Sequence, residues 1–257
     1  MQHDGKYIYC IIASEYDLNL GPIGIGGRGD LVTTIGFDGL CMVVSDHPLS
    51  RFEVNPENLL AHQKVIEEVM KEFSSILPIR FGTIAATPDE IRNLLNRRYG
   101  EFMELLRQFE NKVEFNVRGN WKNMAMIYKE IDDEHVELQK IRAEIDMLED
   151  QELKNLKITE AGNIVEQALK QKKENESEDI SDAFRKTVFD YKHNKLNSDS
   201  MFMNTAFLVN SVREIEFDNI MADLGAKYQD RSDFVYTAPL PIFNFIDLKI
   251  FPEKWEV

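Results

Sequence analysis

The residues of this chain most conspicuously placed to do chemistry are glycines. Gly24, Gly26 and Gly29, within GPIGIGGRGD (Gly21 to Asp30), spell G-x-G-x-x-G. Such a loop holds a dinucleotide pyrophosphate when a strand leads into it and a helix follows, because the phosphates sit on helix N-terminal amides. Here the strand pattern ends near Ala13, SEYDLNL intervenes, and β-branched LVTTIGF follows Gly29. A helix is not expected there, so the loop has no helix dipole to offer and reads as a mobile connection.

His3, His47, His62, His135 and His193 show no H-x-x-x-H or H-E-x-x-H spacing. His62 lies three residues after Leu59 and four before Ile66, at the edge of an apolar helical stripe. A general base is one reading; a hydrogen-bonded structural histidine is favoured. Arg80 is flanked by apolar residues in LPIRFGT and needs a carboxylate or backbone partner. An ion pair between elements is favoured over an anion site. Cys10 and Cys41 lie in apolar runs and form neither a metal pattern nor a disulfide framework. G-x-S-x-G is absent, and acids such as Asp132, Asp133 and Glu134 fall on solvated helix faces beside basic neighbours. No catalytic set, cofactor or metal is expected.

The elements that position these residues belong to a chain of 257 residues, enough for one large domain or two small ones. Acidic residues outnumber basic ones 45 to 30, a net charge of −15 that repels phosphate backbones and argues against nucleic acid. The first residues lack an export-signal pattern, and no apolar run reaches the length that crosses a bilayer. A cytoplasmic protein with no membrane partner is expected.

YIYCIIA (Tyr7 to Ala13) reads as a buried strand, and LVTTIGFDGLCMVVS as two strands meeting at Asp38–Gly39, a hairpin signal. Asn55–Pro56 opens a helix with its stripe at Leu59, Ile66, Val69, Met70 and Phe73. ILPIRFGTIA (Ile76 to Ala85) reads as a strand. Thr87-Pro88-Asp89-Glu90 is a capping box that starts a helix running to Phe109. Val113, Phe115, Val117 and Gly119 alternate as a half-exposed strand. The order β-β-β-α-β-α-β over residues 1–120 suits a ferredoxin-like, split βαβ domain.

Residues 121–257 read as a helical hairpin plus a small α+β domain. Leu138, Ile141, Ile145 and Leu148 form a two-heptad seam, and Thr159 can cap a further helix. Gln171 to Asp179 is a charged hinge or a solvated helix face, and helical spacing returns through Phe184, Val188 and Tyr191. MNTAFLVNS is a strand, Ile215 to Leu224 a helix with Gly225 as its C′ residue, and DFVYTA a last strand. The tail carries Phe243, Phe245, Ile250, Phe251 and Trp255. It is either a closing strand packed on its own core or, in part, an exposed apolar dock for another protein.

These segments together resemble the gas vesicle protein GvpF/GvpL family. YIYCIIA, the glycine-rich loop leading to GLCMVVS, and His62 in the first helix carry the likeness. The most specific stretch is Pro78-Ile79-Arg80-Phe81-Gly82-Thr83. VEFNVRGNW, Gly162 followed by IVEQAL, MNTAFLV and YTAPLPIFNF continue it, although Thr205, Ala238 and Leu240 depart from the family's usual residues. The resemblance implies a two-domain α+β protein, the first domain ferredoxin-like, with no catalytic activity. It further implies a cytoplasmic accessory or minor structural protein of gas vesicles, the gas-filled protein shells that give cells buoyancy. Its implied partners are the main hydrophobic shell protein and other accessory proteins. The expected contact surface combines the terminal aromatic residues with the apolar edge of the helical hairpin. The alternative is a small-molecule-binding regulatory protein built on a ferredoxin-like sheet.

Overall fold

A computed structural model describes residues 4–48 and 54–250. Phe251 and Trp255 lie outside the described residues. Helices and strands are mixed, and the chain divides into two compact units. Of the described residues, 4–48, 54–114, 210–212 and 238–250 form the first, and 115–209 with 213–237 the second. The units therefore interleave along the sequence, unlike the contiguous 1–120 and 121–257 expected above.

The first unit begins with four strands, β1 (Asp4–Ala13), β2 (Asn19–Gly21), β3 (Val32–Phe37) and β4 (Leu40–Pro48). Asp38 and Gly39 both take positive φ, 49° and 80°, as a type I′ turn requires, and Phe37 pairs with Leu40. Helix α1 (Pro56–Met70) follows, capped by the Asn55 side chain, which accepts from the Asn58 amide at 2.8 Å. Next come β5 (Leu77–Pro78), β6 (Ile84–Ala85), α2 (Pro88–Arg97) and α3 (Tyr99–Gln108). The Thr87 hydroxyl accepts from the Glu90 amide, and the Glu90 carboxylate accepts from the Ala86 amide, the two halves of a capping box.

The sheet order is β2-β3-β4-β1-β5, with β6 also on β1. Because β4 and β5 both run antiparallel to β1 between them, β4–α1–β5 is a split β-α-β unit. From Tyr7 to Ile12 strand β1 is an unbroken apolar and aromatic run because both its faces are covered there. Ile8 and Ile11 pack with Ile91, Leu95 and Phe102 of α2 and α3, whereas Tyr7, Tyr9, Cys10 and Ile12 pack with Val65, Ile66 and Val69 of α1. A bulge at Tyr9, where the register slips between Ile8 and Cys10, turns Tyr9 and Cys10 to the same face.

Three local expectations differ here. The stretch Ile76 to Ala85 is not one strand but β5 and β6 separated by a turn. The helix expected to reach Phe109 breaks at Arg98, whose φ of −109° and ψ of 21° leave the helical region. Its guanidinium instead binds Glu101 and, at 2.9 Å, the Lys249 carbonyl. The glycine loop joins β2 to β3 without a helix, yet it is anchored: Ile25 is fully buried, and its amide donates to the Tyr9 hydroxyl at 2.8 Å.

The second unit is entered along β7 (Lys112–Trp121), which pairs in a separate sheet of order β10-β7-β9-β8. Between β7 and β8 (Val188–His193) lie α4 (Met124–Glu134), α5 (Val136–Met147) and α6 (Gln151–Phe184). After β9 (Met201–Asn210) come a 3₁₀ turn at Ser211–Arg213, α7 (Glu214–Lys227) and β10 (Ser232–Leu240). Helices between β7 and β8, a direct β8–β9 step and α7 before β10 make a β-α-β-β-α-β succession. The β-β-β-α-β-α-β order expected across residues 1–120 is not what the first unit shows, because four strands precede any helix there and β7 pairs in the other sheet.

α4 and α5 pack on α6, with Ile127, Ile131, Leu138 and Ile141 buried. Helix α6 starts at Gln151 under an Asp150 cap, so Thr159 is interior and its hydroxyl donates back to the Asn155 carbonyl at 2.9 Å. Gln171 to Asp179 is a stretch of that helix, not a hinge. Val188 and Tyr191 belong to β8, opposite Val209 and Phe207, and not to a helix. Gly225 lies inside α7, whose cap is Tyr228. The core is aromatic: Phe217 stacks on Phe184 at 4.3 Å and meets Phe115 edge-on at 4.7 Å.

Gly119 of β7 shows how tightly this core is filled. A Cβ added there would lie 2.7 Å from the Phe202 ring and 3.1 Å from that of Phe234. Phe202 is itself stacked on Trp121, so it cannot yield without moving its neighbour. Gly119→Val is expected to cost about 1–3 kcal/mol through overpacking, read as a lower urea midpoint with an unchanged slope.

Candidate functional site

His62 sits on the face of α1 that meets β1, fully enclosed by the first unit's rings. Its Nε2 lies 3.0 Å from the Ile79 carbonyl and its Nδ1 2.9 Å from the Tyr7 hydroxyl. The Tyr7 oxygen also accepts from the Gly82 amide at 3.0 Å. A carbonyl only accepts, so Nε2 carries the proton. Burial drives the His62 pKa down from 6.5 to about 4, so the ring is neutral and Nδ1 accepts from Tyr7. The chain of donors is therefore Gly82 N–H to Tyr7 O–H to His62 Nδ1, with His62 Nε2–H to Ile79 O.

This network explains the stretch around Phe81. Ile79 and Gly82 are tied to the same tyrosine–histidine pair, which folds the segment between β5 and β6 into a turn. Gly82 takes φ of +86°, a conformation glycine adopts without penalty. Phe81 stands edge-on to His62 at 5.8 Å, and Tyr9 stacks on the opposite side at 5.6 Å with its hydroxyl 2.8 Å from Ser45 Oγ. Burial raises the pKa values of both Tyr7 and Tyr9, so neither is an acid near neutrality. Each polar atom of the imidazole is satisfied inside the protein. That arrangement holds structure together and offers no free lone pair to a substrate.

Arg80 is not in a strand. It projects from the turn and pairs with Asp247, both side chains more than half exposed. A pair of that kind is worth about 0–1 kcal/mol and ties the tail to the turn without making an anion site. Among the described residues, the tail is not a strand beyond Leu240. Ile242 and Leu248 are buried, Ile246 and Ile250 pack on the α2–α3 side of the core, and Phe245 is half-buried. Buried Glu114 grips the tail, its two oxygens accepting from the Asn244 amide (2.9 Å) and side chain (2.6 Å). Phe243 is 37% exposed, with its ring 6.2 Å from His62.

The cysteines are buried, and burial pushes both thiols up, away from nucleophilic thiolates. Among the described residues, no group of three or more His, Cys, Asp or Glu is arranged to hold a metal ion. The carboxylates of α4 serve ion pairs: Asp132 with Arg142 at 2.9 Å, and Glu134 with Lys172 at 3.0 Å. A network the sequence did not reveal centres on Arg231. Its guanidinium binds both Glu130 oxygens, at 2.6 and 2.9 Å, and Glu176 at 2.6 Å, and Glu176 also accepts from Trp121 Nε1. The Arg231 hydrogen bonds hold Glu130 at about 2. Partners separated by up to 101 residues leave no local pattern to read.

The family model for gas vesicle synthesis protein GvpL/GvpF matches residues 5–247. The chain belongs to this family. It is 24% identical over 240 residues to gas vesicle protein F of Nostoc sp., covering 91% of this chain and 96% of that one. It is 26% identical over 253 residues to gas vesicle protein F1 of Halobacterium salinarum, covering 98% and 97%. The fold matches the crystal structure of GvpF from Anabaena sp. with a TM-score of 0.79 at 21% identity, covering 96% and 100% of the two chains. Among the described residues, no helix of this family member is long and apolar enough to cross a membrane.

The His62 clasp has a pH signature. Its folded value lies below the ordinary one, so the unfolded chain takes up a proton first as pH falls. The stabilisation is complete above about pH 6.5 and is lost progressively down to about pH 4. His62→Phe should cost about 1–3 kcal/mol at pH 7.5 by orphaning Tyr7 and Ile79. It should also remove about 2 kcal/mol of the stability lost between pH 7.5 and pH 5, read from urea denaturation at the two pH values.

Proposed function

We propose that this protein is a non-enzymatic accessory or minor structural component of gas vesicles that binds the hydrophobic shell protein, together with other accessory proteins, during assembly. Its expected location is the cytoplasm, on the gas vesicle. Family membership supplies the gas vesicle role. The observation that supports the contact itself is the apolar surface where α5 turns into α6: Met147 is 85% exposed, Leu153 47% and Leu156 66%. Leu153 and Leu156 are spaced i, i+3 and share one face of α6. Apolar side chains grouped this way on a chain of charge −15 fit a soluble partner for a very apolar subunit.

The first unit offers a second, separate apolar group in Phe243, seated over the His62 clasp, with Phe245 beside it. Ile250 contributes to packing. Arg80, Phe81, Gly82 and His62 are assigned the structural role of presenting this segment.

The test is co-expression with the main shell protein and retention on tagged protein through a salt wash. Leu153→Ser with Leu156→Ser is expected to reduce retention by at least about tenfold with an unchanged melting temperature, since both side chains lie on an exposed helix face. Phe243→Ser with Phe245→Ser reports on the other surface in the same way. Full retention by both folded double variants would contradict the assigned contact.

A further inference from the structure

The second unit's sheet ends on β10, which bonds to β7 on one side and to no strand on the other. Just past the end of β7 the Lys122 amide donates to the Arg231 carbonyl at 2.9 Å, just before β10 begins, so the two strands run antiparallel. Alternation along that ladder turns the backbones of Asp233, Val235 and Thr237 toward β7 and those of Phe234 and Tyr236 outward. The Trp121 amide fits this phase, since it donates to the Ser200 carbonyl on the β9 side. Among the described residues nothing accepts from the Phe234 or Tyr236 amide.

A free edge is a template for another strand, and proteins commonly blunt it. The other edges are blunted. Strand β8 caps its Tyr191 amide with the Asp190 side chain at 2.9 Å, and β2, β5 and β6 have only two or three residues each. Strand β10 has nine, with Val235 58% exposed. Its one charged residue, Asp233, is paired with Lys122 at 3.1 Å.

Charge along the edge selects the occupant. Helix α7 borders β10 on the face that carries Tyr236, whose hydroxyl donates to Asp218 and whose ring lies 6.2 Å from that of Phe217. Asp218 and Glu214 share one side of α7 at i, i+4 spacing, and among the described residues no cation pairs with either. Arg213, at the start of that helix, is held by Glu216 at 2.8 Å. The hydrogen bond to Asp218, partial burial and the charges of Asp218 and Glu214 push the Tyr236 pKa up to about 12. Ile215, three residues before Asp218, is exposed on the same side. A second copy of this chain, of charge −15, would bring like charges to this border, whereas a strand with cationic side chains brings opposite ones.

We propose that the outer edge of β10 takes up an extended, basic segment of a partner protein as a further strand. Its backbone pairs with the N–H and C=O groups of Phe234 and Tyr236. Every second side chain falls on the α7 face, where lysine or arginine meets Asp218 and Glu214 and an apolar side chain meets Ile215. Strand addition draws affinity from the backbone and selectivity from those alternate side chains. This edge is distinct from the surfaces assigned to the shell protein.

The test uses the full chain and a labelled peptide the length of β10, nine residues, acetylated and amidated at its ends. Lysine occupies every second position, with threonine or valine between. Fluorescence anisotropy should show binding. The same peptide N-methylated on its backbone amides keeps its charges and should bind at least about tenfold more weakly, a loss of about 1.4 kcal/mol. In hydrogen exchange followed by NMR, the peptide should slow the Phe234 and Tyr236 amides at least about tenfold and leave Val235 and Thr237, already bonded to β7, unchanged. Glu214→Gln with Asp218→Asn should weaken binding at least about tenfold without changing the melting temperature. Equal binding of the methylated peptide, no binding at about 1 mM, or unchanged exchange at Phe234 and Tyr236 would overturn the inference, as would full affinity in the folded double variant. A dimer in sedimentation that the peptide dissociates would assign the edge to a second copy and overturn it too. Exchange is read on the unaltered protein, so misfolding of the variant cannot mask it. No shell protein is present, so the result is independent of the proposed shell contact.

Discussion

A neutral histidine, enclosed and fully hydrogen-bonded, is the constraint around which the first unit is built. An imidazole removed from water costs several kcal/mol unless both nitrogens find partners. His62 finds them in the Ile79 carbonyl and the Tyr7 hydroxyl, and Tyr7 in turn takes the Gly82 amide. Those three bonds cannot form if residues 76–85 run as one straight strand. The segment therefore breaks into β5 and β6, Gly82 turns to positive φ, and Arg80 is thrown outward to Asp247. Removing the imidazole would strand a hydroxyl and a carbonyl in the same apolar pocket, which is why the network resists piecemeal substitution.

Where a residue's fate is set within a few positions, the sequence was legible. Asp38–Gly39, the Asn55 and Thr87 caps and the alternation of β7 from Phe115 to Gly119 are decided by turn sterics, capping and side-chain period, whereas the stripe of α1 was met only in part: Ile66 and Val69 are buried, Leu59 is exposed, and Val65 takes a buried place outside the stripe. His62 at the edge of its stripe reads as a structural histidine for the same reason. The misreadings share a different cause. Val188 and Tyr191 follow a helix at helical spacing, and only their pairing with Val209 and Phe207 makes them a strand. Arg98 stands at the break between α2 and α3, and its guanidinium reaches the Lys249 carbonyl, 151 residues away. The Arg231 network and the Glu114 grip on Asn244 are likewise assembled by distant chain. Strand order is of the same kind: the β-α-β-β-α-β succession lies in the second unit because β7 joins β9 and β10, a choice no local pattern records.

The two units manage polar groups in different ways. The first hides a histidine, two tyrosine hydroxyls and the Glu114 carboxylate, each hydrogen-bonded, and leaves its ion pairs nearer the surface. The second relies on a half-buried ion network, in which Arg231 and Lys172 neutralise Glu130, Glu134 and Glu176 along α4 and α6. Geometry is the stronger part of that network, because Arg231 meets Glu130 through two parallel bonds. With so many carboxylates paired internally, the surplus negative charge of the chain is left to the exposed faces, where it favours dispersion over self-association.

The account depends most directly on the protonation state of His62. A ¹⁵N-resolved imidazole spectrum, followed from pH 7.5 to pH 4.5, separates the alternatives without any mutation. The structure requires a neutral ring with the proton on Nε2 that persists below pH 5. A His62 resonance that becomes charged near the ordinary value of about 6.5, or that carries its proton on Nδ1, would contradict the clasp and the turn derived from it.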